Sequence, residues 1–263
     1  MLLCPLCSGS SGNATLAEIG GARILIDAGK PCRTIEGALA AAGIPPQTIT
    51  ALVITHEHSD HVMGAGIFSR KYDVPIYANA GTWEGMQPQI GEVAPRNTRV
   101  IATGRDFYLK DVNVTPFKTP HDSNESVGYA FCANGHKISV MTDIGHAGPE
   151  LLAYVEHSDL LLIEANHDPE LVKSCAYPYV TKRRILSSTG HLSNEDAGLA
   201  LAQLYMHGVR QAILGHLSRD NNFEELALST VRAQLRAADI PDAAFALAVA
   251  HRDRLTGRFE IAE

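Results

Sequence analysis

Residues 55–61 read THEHSDH and follow directly on the apolar run ALVI at 51–54. Three histidines and two acids fall within positions 56–61, where a buried strand has just ended. In an extended segment side chains alternate, so His56 and His58 point the same way and both imidazoles can reach one cation. Asp60 and His61 follow where the chain turns into a helix, and they can face a second cation. A helical pair would be spaced H-x-x-x-H, whereas this spacing belongs to a strand and a loop. Each cation still needs ligands from elsewhere. His121 in TPHDS can complete the first, His216 in LGHLS the second, and Asp143 in MTDIG offers a carboxylate able to bridge both.

The rest of the chain reads as the frame for such a site. NATLAEI and ARILIDAG are short apolar strands separated by Gly20-Gly21, a hairpin signature. A helix is expected from Thr34 to Ala42, stopped by Gly43 and Pro45-Pro46. TALVIT reads as a buried strand, HVMGAGIFSRKY as a helix and VPIYA as the next strand. Further strands are expected within 107–118 and 127–141, the latter turning at Asn134-Gly135. DLLLIEA and QAILGH are buried strands. A helix from Asn194 to His207 opens on SNED, and NFEELALSTVRAQLRAA is a long amphipathic helix before two short closing strands. Strands lead at the start and alternate with helices later, which predicts sheets covered by helices. His56, Asp143, Glu164 and His216 all sit at strand ends, and strand ends converge on one edge where distant positions build one site.

The 263 residues, 45% of them hydrophobic, suffice for one large core, and no linker or repeat divides them, so a single domain over 1–263 is expected. Asp and Glu number 29 against 22 Lys and Arg, a formal charge of −7. That excludes a protein held on nucleic acid by bulk charge, though not an enzyme with one basic patch and bound metal. Five scattered cysteines, no apolar leader and no membrane-length window point to a reducing cytoplasm and away from membranes. Cys4-Pro-Leu-Cys7 is a lone CxxC, read as ordinary strand-edge cysteines. His136, His146, His157, His207 and His251 read as hydrogen-bonded surface or core residues.

The pattern T-H-x-H-x-D-H after an apolar strand resembles the metallo-β-lactamase superfamily. The likeness extends through LIDAG (25–29), PHDS (120–123), TDIG (142–145) and GH (215–216). It implies an α/β fold, the four-layer αββα sandwich, with two divalent metal ions along one edge. His56, His58 and His121 would hold one ion, Asp60, His61 and His216 the other, and Asp143 would bridge. Asp27 of LIDAG would support the ligand loop through hydrogen bonds. Zinc suits this His/Asp set first, and manganese or iron is acceptable to it. The di-iron branch carries Glu where this chain has His58, so the resemblance implies a hydrolase using metal-bound hydroxide.

EANHD (164–168), GHLSNEDAGLALA (190–202) and GHLSRDNN (215–222) are similar to segments of the tRNase-Z-like nucleases, in which a Glu and a His act near the leaving group. Here those are Glu164 and His191, which join Asp60 as the candidate catalytic residues. A His⁺ held by a carboxylate can protonate a poor alkoxide leaving group. With SGSSGN (8–13), the set resembles the YycJ/WalJ-like group, regarded as single-domain exonucleases. SGSSGN itself reads either as a turn or as a backbone N–H loop near a phosphate. TKRR (181–184) reads either as a solvated helix face or as a phosphate contact. The expected function is a metal-dependent phosphodiesterase acting on DNA or RNA, as a monomer or homodimer. The alternative is a thioester or lactone hydrolase of the glyoxalase-II type.

Overall fold

The computed structural model describes residues Met1–Ile261, which group into two compact units. The first comprises residues 1–118, 123–135 and the C-terminal stretch from His251; the second comprises 119–122 and 136–250.

In the first unit, strands β1 (Leu2–Cys7), β2 (Ala14–Ile19) and β3 (Ala22–Ile26) run antiparallel, with Leu3 opposite Ala17 and Leu16 opposite Leu25. Gly20 and Gly21 both take positive φ, as the tight β2–β3 turn demands. Helix α1 spans Cys32–Ala41, two residues ahead of its expected start. Strand β4 is only Ala51–Val53, although Ile54 still donates to the Tyr77 carbonyl at 3.0 Å. The helix expected over 61–72 is two, α2 (Ser59–Val62) and α3 (Ala65–Tyr72). At the break Gly64 N donates to the Ala28 carbonyl at 2.8 Å, while the Asp60 carbonyl accepts from Asn13 N; residue 64 must be small there, since a Cβ would lie 2.3 Å from the Lys30 carbonyl oxygen.

Strands β5 (Ile76–Ala78) and β6 (Thr98–Val100) extend the sheet in parallel from β3 and β4, and a short C-terminal strand, Phe259–Glu260, pairs with β1 at the other side. β1 is therefore an interior strand, not an edge. Burial pushes the Cys4 thiol up to about 11 and the Cys7 thiol up to about 12, so neither is a ready thiolate. Helix α4 (Ala80–Ile90) was hidden in the sequence by Gly81, Gly85 and Pro88. Its Asn79 cap accepts from Thr82 N at 2.9 Å. An antiparallel meander, β7 (Phe107–Leu109), β8 (Val112–Lys118) and β9 (Val127–Ala133), completes this unit, with Tyr129, Phe131 and Phe117 fully buried. The Tyr129 hydroxyl donates to the Ile54 carbonyl at 2.7 Å, tying the meander to the strand that leads into the histidine cluster.

In the second unit, β10 (His136–Met141), β11 (Leu160–Glu164), β12 (Gln211–Gly215) and β13 (Ala246–Val249) form a parallel set. Their centres are nearly continuous apolar runs, as parallel strands buried on both faces require. Asn134 and Gly135, just before β10, both have the positive φ of a tight turn. The connections carry α5 (Pro149–Leu152), α6 (Pro169–Ser174), α7 (Tyr179–Ile185), α8 (Asn194–Met206) and α9 (Glu224–Ala237). Ser193 caps α8, accepting from Asp196 N at 3.0 Å and donating to the Asp196 carboxylate at 2.7 Å. Gly198 lets α8 approach α9: a Cβ there would lie 2.6 Å from Gln234 Cβ. Among the described residues no helix is long and apolar enough to cross a membrane.

The Tyr129 hydroxyl bond predicts a measurable stability loss. Tyr129→Phe deprives the buried Ile54 carbonyl of its phenolic donor and should cost about 1–2 kcal/mol. A urea titration should show a lower midpoint with an unchanged slope. An unchanged midpoint would mean that the bond contributes nothing net.

Candidate metal centre

The first unit supplies the cluster that the sequence announces. His56 is fully buried, and His56 Nε2 lies 3.1 Å from His58 Nδ1, the alternation of an extended segment bringing both rings to one side. Glu57 points the other way and is used structurally. Its Oε1 accepts from Asn124 N at 2.7 Å, and Gly85 of α4 leaves room for it, since a Cβ there would sit 2.4 Å from Glu57 Cγ.

The rings are held in defined tautomers by what anchors their Nδ1 atoms. The buried Asp27 carboxylate accepts from Thr55 N at 2.8 Å and from the Thr55 hydroxyl at 2.9 Å. The hydroxyl oxygen is thereby left to accept from His56 Nδ1 at 3.0 Å. His61 Nδ1 donates to Asp27 Oδ2 at 2.8 Å. Both His56 and His61 thus keep Nε2 as an electron-pair donor. His61 Nε2 lies 3.0 Å from Asn13 Nδ2 and 3.6 Å from Asp60 Oδ2. Asn13 is a candidate site residue that the sequence reading did not single out. Its backbone N donates to the Asp60 carbonyl at 2.8 Å, its side-chain oxygen accepts from Gly9 N at 2.9 Å, and its carbonyl accepts from Gly29 N at 2.8 Å. SGSSGN is therefore a bracket for the ligand loop, built around its last residue.

The second unit gathers the remaining candidates. One ligand atom from each of Asp143, Glu164, His191 and His216 falls within 4.8 Å of the other three. Asp143 Oδ1 lies 3.4 Å from His216 Nδ1, 3.7 Å from His191 Nδ1 and 3.8 Å from His121 Nε2. His121 Nδ1 donates to the Gly190 carbonyl at 3.1 Å, so its Nε2 too carries the lone pair. His216 Nδ1 donates to Glu164 Oε1 at 2.8 Å, with the same result. In each unit the donors suit a divalent cation: imidazoles with oriented lone pairs beside carboxylates, with His56, His61, His121 and His216 fixed from behind by a carboxylate, hydroxyl or carbonyl.

Glu164, at the end of β11, holds both imidazoles and two backbone groups. Its Oε1 also accepts from His191 Nδ1 at 2.8 Å, and Oε2 accepts from Ile144 N at 2.8 Å and Leu192 N at 3.2 Å. Burial works to raise the Glu164 carboxyl, but His191 and His216 outweigh it and hold it well below the usual carboxylate range. Burial likewise opposes a charged His191, and the Glu164 carboxylate beside it raises the imidazole nonetheless. His191 is 19% exposed at its side chain, against 2% for His216 and 1% for His121, so it is the ring of this group that faces outward. His167 is the contrary case, lowered to about 4 by burial. Three site residues, Asp27, Asp143 and His216, take left-handed backbone conformations with φ of 56–59° immediately beyond their strands.

A family model described as the beta-lactamase superfamily domain matches residues 22–217. The chain is 38% identical over 237 residues to an exodeoxyribonuclease WalJ of Streptococcus pneumoniae, spanning 89% of this chain and 88% of that protein. It is 36% identical over 226 residues to an exodeoxyribonuclease YycJ of Bacillus anthracis, spanning 86% of each. Among solved structures, the metallo-beta-lactamase fold protein YhfI of Bacillus subtilis superposes with a TM-score of 0.70 at 18% identity, over 98% of this chain and 100% of its own. The fold is thus the metallo-β-lactamase fold, an α/β architecture, as the sequence led us to expect.

Asp27→Asn tests the bracket. The variant keeps one acceptor oxygen, but its amide faces the Nδ1 proton of His61 or the Thr55 hydroxyl with a donor. His61 should then shift its proton to Nε2 and lose its ligand lone pair. Metal affinity, measured by chelator competition, should fall roughly 10- to 100-fold, with the circular dichroism spectrum unchanged. Wild-type retention of metal would show that Asp27 does not set the His61 tautomer.

Proposed function

This chain belongs to the beta-lactamase superfamily, and from that premise we propose that it is a binuclear metal-dependent exonuclease that hydrolyses phosphodiester bonds of nucleic acid. The observation that carries this reading is the His191–Glu164 pair, in contact at 2.8 Å and not needed to complete the metal shells. A thioester expels a thiolate that departs readily, whereas a nucleotide alkoxide needs a proton. The names of the relatives, both exodeoxyribonucleases covering most of this chain, support the same substrate class.

In this reading His56, His58 and His121 would hold one ion, Asp60, His61 and His216 the other, and Asp143 would serve both. Bound divalent metal supplies a water that ionises near neutral pH and a Lewis acid for the phosphoryl oxygen. The chain's own residues do the rest. Thr55, Asp27, the Gly190 carbonyl and Glu164 anchor these imidazoles at Nδ1, which leaves the lone pair on Nε2. His191, the most exposed ring of its cluster, delivers the Nε2 proton to the departing oxygen. Glu164 orients His191 and favours its charged form. Because Glu164 also holds His216, its replacement should disturb metal as well as proton transfer.

Two equivalents of metal per chain are expected from elemental analysis of protein purified without chelator, and Asp143→Ala should lose metal and turnover together. One equivalent, unchanged in Asp60→Ala, would refute the binuclear assignment.

His191→Ala should keep its metal yet slow hydrolysis of end-labelled oligonucleotides by about 10²–10⁴-fold. The same variant should lose far less on bis(p-nitrophenyl) phosphate, whose leaving group departs without a proton. Equal losses on both substrates would assign His191 to positioning. Hydrolysis of S-lactoylglutathione in preference to either phosphodiester would overturn the nuclease reading itself.

A further inference from the structure

The one dense basic run, TKRR, lies on α7, and its surroundings set it apart from an ordinary solvated face. From Leu171 to Asn194 the chain carries no Asp or Glu, although 29 acids occur in the whole sequence and its formal charge is −7. In this stretch Lys173, Tyr179, Lys182, Arg183, Leu186 and Ser187 line a groove of about 590 Å³. Tyr179, Arg183 and Leu186 are spaced along one face of α7, as residues three and four apart must be. Tyr179 is 73% exposed, and the Arg183 guanidinium lies 5.9 Å from its ring centroid.

Two of the charges, those of Lys182 and Arg183, are not neutralised from within. Lys173 pairs with Glu170 at 2.6 Å and is spent. Lys182 donates to the Lys173 carbonyl at 2.7 Å, which docks α7 on α6 without consuming the charge. Among the described residues no carboxylate pairs with Lys182 or Arg183. The groove is also tied to the acid pair. The next residue, Arg184, forms a two-pronged ion pair with Asp122, neighbour of His121. The Ile185 carbonyl at the end of α7 accepts from His191 N at 3.1 Å. The end of α7 is thus bonded to the backbone of the residue proposed as the acid.

We propose that this groove is the track for single-stranded DNA next to the scissile bond, with one base stacked on Tyr179 and the adjoining phosphates on Lys182 and Arg183. The proposal rests on the nuclease reading and deepens it. An exposed aromatic face beside unpaired cations matches an unstacked base and its backbone, since every base offers a π-face whatever its sequence. A duplex keeps its bases stacked on one another and cannot use that face. Protein partners are disfavoured because the same face is flanked by uncompensated positive charge rather than by a closed apolar patch.

The test uses the full chain with fluorescein-labelled dT12, fluorescence anisotropy in EDTA to prevent cleavage, and a series of salt concentrations. Tyr179→Ala should weaken binding by about 10-fold, within the reach of one base–aromatic stack, and Tyr179→Phe should restore it. The double variant Lys182→Ala/Arg183→Ala should flatten the plot of log affinity against log salt by about 1.4, the share of two phosphates on a single strand. Wild-type affinity and slope in both variants, with native circular dichroism, would overturn the groove while leaving the nuclease reading intact. Tighter binding of U12 than dT12 would overturn the assignment to DNA. A change in sedimentation without a change in dT12 binding would make the face a contact between copies of the chain. If the wild type neither binds nor degrades dT12 with zinc or manganese, the nuclease reading fails first.

Discussion

A single buried carboxylate organises the first half of the site. Asp27 follows the last residue of β3, and its two oxygens take hydrogen bonds from Thr55 N, Thr55 Oγ1 and His61 Nδ1. Three segments, the end of β3, the end of β4 and helix α2, are thereby fixed to one point. Leaving such a carboxylate unsatisfied in the interior would cost several kcal/mol, so the loop has little freedom to adopt another course. The orientation of His56 follows at second hand, through the Thr55 hydroxyl. Asn13 then clamps the outer side of the same loop. Gly29 allows the close approach, since a Cβ there would fall 1.5 Å from the Asp60 carbonyl oxygen.

The second unit repeats the device with a different residue on a different strand. Glu164 takes four donors, two imidazoles and two backbone N–H groups, and it is fully buried. Each unit thus carries one carboxylate whose role is to aim imidazoles. In such networks every member polarises the next, and removal of one is felt by all. Glu164 therefore couples a proposed metal ligand to a proposed acid.

The parts of this arrangement that lie within a few residues of one another were legible in the sequence. THEHSDH follows from strand alternation and the turn into α2, and the apolar runs around His56, Asp143, Glu164 and His216 placed those residues at strand ends, while Asp27 was legible only through the resemblance of LIDAG. The Glu164 and His191 pairing came from resemblance and is met by a 2.8 Å contact. What remained hidden depends on residues far apart in sequence. Asn13 reaches Asp60 and His61 across a chain separation that no local pattern encodes. Glu57, which the sequence reading gave no role, is turned away to hold Asn124. Helix α4 is obscured because Gly85, a poor helix former, is required there for the passage of Glu57. The split between α2 and α3 likewise answers to distant partners, Ala28 for Gly64 N and Asn13 for the Asp60 carbonyl, and not to helix propensity. TKRR was ambiguous because charge runs alone do not reveal which acids lie near them.

The left-handed backbone at Asp27, Asp143 and His216 bears on how such a protein can change over generations. A non-glycine residue holds that conformation at a cost of roughly 1–3 kcal/mol, although Asp and His tolerate it better than most. The strain sits where the side chains are indispensable to the proposed chemistry. A glycine at 143 or 216 would relax the backbone and remove a buried ionisable group in one step. At 216 that relief is offset, because buried Glu164 would lose one of its four donors, so the strained backbone is held in place by the network it serves.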